Sequence, residues 1–163
     1  MHLRFLIGAL LLMAAAAQAQ VTADDPDWRE VEAPPAPALK LQGLIPLEMP
    51  GSGLQFGVDP DSISIGSDGI VRYVVVATSS SGVVNGIYEG VRCDKGEVKV
   101  YARHNAAGGW TVSKDPKWRP VNEQRYTDVI ARGGACVGRG ANQSAARIAR
   151  DLRTPLERRY ELE

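Results

Sequence analysis

Between Val58 and Arg103 the chain strings short β-forming runs between turn signals, and this stretch limits the fold more than any other: VDPDSISIGSDGIVRYVVVATSSSGVVNGIYEGVRCDKGEVKVYAR. Ser62 to Ser67 alternates polar residues with Ile63 and Ile65, as a half-buried strand does. Asp68-Gly69 predicts a two-residue type I′ hairpin, since both central positions of that turn need positive φ. That turn would set Ile63 opposite Val74 and Ser64 opposite Tyr73. Ile70 to Thr78 is apolar on both faces and reads as a central strand. A loop over Ser79–Gly82 leads to a third strand, Gly86–Cys93, and Asp94-Lys95-Gly96-Glu97 turns it into a fourth, Val98–Arg103.

Alternation through that last turn places Ile87, Glu89, Val91, Cys93, Val98, Val100 and Ala102 on one face. Tyr88, Arg92, Lys99, Tyr101 and Arg103 share the other, with Arg92 opposite Lys99, a repulsive pair unless acids or water cover it. The first face is apolar and needs a helix layer. Downstream, Trp110–Val112 is a candidate fifth strand, and Lys114–Pro120 is a turn carrying Trp118. Glu123–Ala131 forms a short helix ending at Gly133-Gly134. Asn142 or Ser144 caps a last helix, with Ala145, Ile148, Ala149 and Leu152 on one stripe and Pro155 ending it. The expected fold is α+β: an antiparallel meander sheet of four to five strands with one or two C-terminal helices, in one domain over 58–153. A charged tail, 154–163, follows.

The start of the chain has a different composition. A basic n-region with Arg4, an apolar run Phe5–Ala17 and the small-residue site Ala17-Gln18-Ala19 make a signal peptide over 1–19, cleaved after Ala19. The apolar run is shorter than the roughly 20 residues of a membrane span, so no transmembrane segment is expected after cleavage. The predicted location is the periplasm. Residues 20–57 then read as a Pro-rich extended arm. Seven of the ten prolines lie between 26 and 60, and APPAPALK should lie near polyproline II. Trp28 is the arm residue able to fold back onto the body. GSGLQFG fails as a phosphate loop: it follows prolines in place of a strand and lacks an adjoining Lys. Acids concentrate in the arm (Asp24, Asp25, Asp27, Glu30, Glu32, Glu48), leaving the body mildly basic, too weakly so for a nucleic-acid surface.

Cys93 and Cys136 survive cleavage, and an even count in an oxidising compartment predicts a disulfide. A redox pair usually has CxxC spacing, and a metal site needs more ligands. His104 is the one histidine of the mature chain, at a strand end, which leaves little room for a nucleophile-histidine site. No GxSxG, HExxH or Walker pattern occurs, and no cofactor, metal site or catalytic residue is expected. Two features stand out. Glu89 falls on the presumed core face, where burial raises a carboxyl pKa. Tyr88, Arg92, Tyr101 and Arg103 form an aromatic-basic face of the residue types that dominate binding hot spots.

DPDSISIGSDGIVRYVVV, NGIYEGVRC, KVYA and a downstream cysteine resemble the cryptic neisserial protein-like family of small secreted bacterial proteins. The matching positions are Asp68, Gly69, Val71, Arg72 and Tyr73, then Tyr88, Glu89, Gly90, Arg92 and Cys93, then Lys99, Tyr101, Ala102, Trp110 and Cys136. The resemblance implies an envelope or periplasmic location and brings no catalytic residues. Some members look like lipoproteins; this chain has no cysteine at the cleavage site. The leading functional expectation is a non-enzymatic periplasmic domain that binds an envelope protein or cell-envelope component through the Tyr/Arg face. The alternatives are an envelope hydrolase using Glu89 with a second carboxylate, and a surface adhesin.

Overall fold

A computed structural model of the chain describes residues 25–154. The expected signal peptide and cleavage site, Pro155 and all of the charged tail beyond Thr154 lie outside the described residues. Eight strands form one antiparallel sheet. They are β1 (Ile45–Leu47), β2 (Leu54–Val58), β3 (Ser64–Ile65), β4 (Val71–Ser79), β5 (Val84–Arg92), β6 (Glu97–Asn105), β7 (Gly109–Val112) and β8 (Arg119–Pro120). The spatial order is β1-β2-β4-β5-β6-β7, with β3 also on β4 and β8 also on β6. The sheet is therefore an α+β meander with more strands than the four to five expected.

Two of the additional strands come from the segment read as arm. Ile45 and Leu47 are buried while Pro46 is exposed, and β1 is an edge strand, where a residue without an amide proton is tolerated. Proline content hid a strand alternation. The first hairpin also differs from expectation. Its register is Ser64 with Arg72 and Ile65 with Val71, one residue off the predicted pairing. Among the described residues only glycines have positive φ, so Asp68 cannot sit in a type I′ turn; Gly69, at φ 76°, takes the left-handed position of a three-residue loop closed by Gly66 N–H to Ile70 O. Upstream, Pro60–Ser62 is a 3₁₀ turn capped by Asp59, which removes Ser62 and Ile63 from the strand.

β4 is buried from Val71 to Ala77, as a central strand should be. Val71, Tyr73 and Val75 face a helical layer, and Val74 and Val76 face the opposite way. The helical layer holds α1 (Arg125–Ile130), a wide turn over Ala131–Ala135, and α2 (Ala145–Leu152). Phe56 of β2 stacks on Tyr126 of α1 with ring centroids 5.0 Å apart. Ser144 caps α2 by accepting the Arg147 amide at 3.2 Å. A Cβ at Gly134 would lie 3.0 Å from Ile148 O, so the Gly133-Gly134 pair lets α2 pack closely. A disulfide joins Cys93, after β5, to Cys136, with Cα atoms 5.6 Å apart.

The β5–β6 pairing carries the correction with most consequence. Val91 pairs with Val98 and Glu89 with Val100, yet Tyr88 pairs with Ala102. Tyr101 is the extra residue of a β-bulge, and a bulge reverses the faces of everything beyond it. Ala102, expected toward the helices, joins Tyr88 and Tyr101 on the other face. Arg103, expected beside Tyr101, instead turns to the helix side, opposite Ile87. Arg92 pairs with Glu97, not Lys99, and its guanidinium meets Asp94 at 3.0 Å, which removes the repulsion anticipated there.

Candidate functional site

The aromatic-basic face is filled by the chain's own N-terminal arm. Glu30, Ala33, Ala36 and Leu39 all turn toward the sheet, and that spacing of three is the repeat of a polyproline II helix. Ala33, Ala36 and Leu39 pack with Val74, Val76, Tyr88, Tyr101 and Trp110. Beyond a first turn closed by the Trp28 amide on Asp25 O, residues 25–41 have no helix or strand pairing, and their polar groups find partners on the body. Trp110 Nε1 donates to Pro37 O at 2.7 Å, and Trp28 Nε1 donates to Asp68 O at 2.9 Å. Val31 is held at both backbone groups: its amide donates to Asp68 Oδ2 and its carbonyl accepts from Arg72 Nη2, each at 2.9 Å.

Charge reinforces the docking. Glu30 accepts from Tyr101 Oη at 3.0 Å and pairs with Lys99. The Arg92 guanidinium lies 3.6 Å from the centre of the Trp28 ring, a cation–π contact. Asp68 and Arg72 form a two-pronged ion pair, 2.7 and 3.2 Å, with side chains 0% and 3% exposed. Burial pushes the Asp68 carboxyl up, but bonds from Arg72 and from the Val31 and Ile70 amides outweigh it and hold the pKa below its ordinary value. Two glycines of β5 make room. A Cβ at Gly86 would sit 2.6 Å from Leu39 of the arm, and one at Gly90 would sit 2.9 Å from the Tyr101 ring.

Glu89 points the other way, into the helix-side core, and is fully buried. Three hydroxyls surround its carboxyl: Tyr73 Oη at 2.8 Å, Tyr126 Oη at 3.1 Å and Thr127 Oγ1 at 3.3 Å. Loss of water raises its pKa from 4.5 to about 7, with the three hydroxyls and the more distant Arg103 pulling against that rise. Burial and the neighbouring carboxyl push the Tyr73 phenol well up. All three bonded partners of the Glu89 carboxyl are hydroxyls. An open groove of about 480 Å³ at the β1–β2 edge, lined by Leu41, Leu44, Met49, Leu54 and Phe56 among others, does not include it.

Among the described residues no cluster of three metal-ligating side chains occurs. His104 stacks edge-on against Trp110 with centroids 5.3 Å apart, and its Nδ1 is buried without a partner. Tyr88, Arg92 and Tyr101 thus share the arm-covered face, while Glu89 and Arg103 lie on the reverse. Asp68, Arg72, Trp110 and the arm's own Glu30, Ala33, Ala36 and Leu39 were not named as site residues from sequence, though the first three are among the positions that carry the family resemblance. The threefold spacing of the last four was a usable signal.

The sequence model of the CNP1-like family matches residues 23–153. The chain belongs to that family. No curated protein and no solved structure matches it. The matched span of this CNP1-like chain takes in the arm, the whole sheet and both helices, so arm and body fall within one family unit.

Proposed function

We propose that this CNP1-like chain is an exported, non-enzymatic binding module of the bacterial envelope, and that its aromatic-basic sheet face is the binding surface, covered at rest by its own arm. One observation carries the reading: the face engages the arm through directional side-chain contacts to backbone groups and through a carboxylate clamp, the chemistry of peptide recognition. The disulfide supports export, because such bonds persist in oxidising compartments. The closed hydroxyl cage around Glu89 supports a structural role for that carboxyl, against a hydrolytic one.

The test uses the tagged mature chain in three forms: wild type, an unlatched Trp28→Ala/Glu30→Ala variant, and the unlatched variant with Arg92→Ala. Envelope extract is passed over each. A protein retained by the unlatched form, weakly by wild type and not after Arg92→Ala, is the expected result. Equal retention by all three, or by none, sinks the reading. Cell fractionation checks export separately, and a cytoplasmic mature chain would overturn it.

A further inference from the structure

The arm reports, position by position, what its seat accepts. Arg92 takes a flat aromatic ring; Lys99 and Tyr101 Oη together take a carboxylate two residues later. The Asp68–Arg72 pair then takes both backbone groups of the next residue. Two small side chains follow at intervals of three over Tyr88 and Tyr101, and Trp110 Nε1 binds a carbonyl beyond them. Finally, the space left by Gly86 takes a leucine. Together these describe an extended segment that carries an aromatic ring, a carboxylate, two alanine-sized side chains and a leucine, with prolines holding the chain extended between them. Nothing in this description requires the segment to be covalently attached.

We infer that the outer sheet face is a receptor for such a segment on another polypeptide, and that the arm is a tethered competitor occupying the seat until displaced. The inference rests on the binding-module reading above and names its ligand class. Three physical features favour exchange. The polyproline II conformation is low in entropy before binding, so a free segment of this composition loses little on docking. Residues 25–41, the part of the arm on this face, make no strand ladder with the body, so releasing them leaves the sheet hydrogen bonds intact. The arm also joins β1 through an exposed turn at Leu41-Gln42-Gly43, with Gly43 at φ 70°, where a hinge is least costly.

The experiment uses the folded, disulfide-bonded chain and a fluorescein-labelled peptide with the sequence of residues 25–41. Wild type is compared with the Trp28→Ala/Glu30→Ala variant. It is also compared with an otherwise wild-type chain cut after folding at a protease site inserted between Gln42 and Gly43, which guards against a folding defect in the first variant. Anisotropy should report binding to both opened forms, at least about tenfold tighter than to wild type, because a tethered competitor acts at an effective concentration on the order of millimolar. Peptide carrying Trp28→Ala and Glu30→Ala should bind neither. The inference is overturned if the opened forms, with native circular dichroism and no free thiol, take up no peptide, or if wild type and opened forms bind alike. Dimerisation of wild type by exchange of arms would assign the seat to a second copy and also overturn it. Failure here with Arg92-dependent capture still present would leave the binding module standing and reject only its proline-rich ligand.

Discussion

Glu89 sits in the core with hydroxyls and no ion-pair partner, so the folded chain prefers it protonated. The folded chain retains a proton that the unfolded chain releases near 4.5, up to a folded pKa of about 7. Stability from this group is therefore fully present below about 4.5 and is lost as the pH rises through about 7, a change of roughly 3 kcal/mol. Glu89→Gln should flatten that part of the profile, since the amide is neutral and the rotating hydroxyls can accept as well as donate. Urea midpoints at pH 4.5, 6 and 8 check it; an unchanged slope in the variant would refute the assignment. Asp68 poses the opposite case, a buried charge that is paired. Asp68→Ala strands the Arg72 guanidinium, whose Nε already lacks a partner, and should cost about 3–5 kcal/mol. Asp68→Ala with Arg72→Met should recover most of that loss in the same denaturation assay.

At the scale of elements, β5 is shaped by its glycines as much as by its apolar residues. Gly90→Ala would bring a methyl 2.7 Å from Ile70 Cγ2 and 2.9 Å from the Tyr101 ring, and overpacking of this kind costs about 1–3 kcal/mol. A lowered melting temperature with intact disulfide is the expected readout. The disulfide itself closes a span of 43 residues between sheet and helical layer. Its contribution in the chain-entropy model is about 4 kcal/mol, and Cys93→Ser/Cys136→Ser should show that loss in equilibrium unfolding. The strands were legible where alternation and turn residues agreed, as in Val71–Ser79. They were not legible in Ile45–Leu47, where a proline interrupts an alternation that only an edge position tolerates.

The described residues form three layers: helices, sheet and arm. The outer layer is held by side-chain bonds and ring contacts without strand pairing, so it should open at lower cost than the sheet. Trp28→Ala/Glu30→Ala should speed limited proteolysis within residues 25–41 about tenfold, while β4–β6 amides keep their exchange protection. Simultaneous loss of core protection would mean that the arm is integral to the fold.

Period and propensity within the chain determined the central strand, the place but not the type of the turn near Asp68-Gly69, the turn over Asp94–Glu97, the capped last helix and the face of β5 that carries Glu89. Each of those depends on neighbours a few residues away. Only the tertiary structure decided where Arg103 points, because one bulged residue at Tyr101 reverses a face without altering local alternation. Only the tertiary structure decided what covers the Tyr/Arg face, since a polyproline II segment satisfies none of its own backbone groups. Its position is set by partners such as Arg72 for Val31 and Trp110 for Pro37, 41 and 73 residues away.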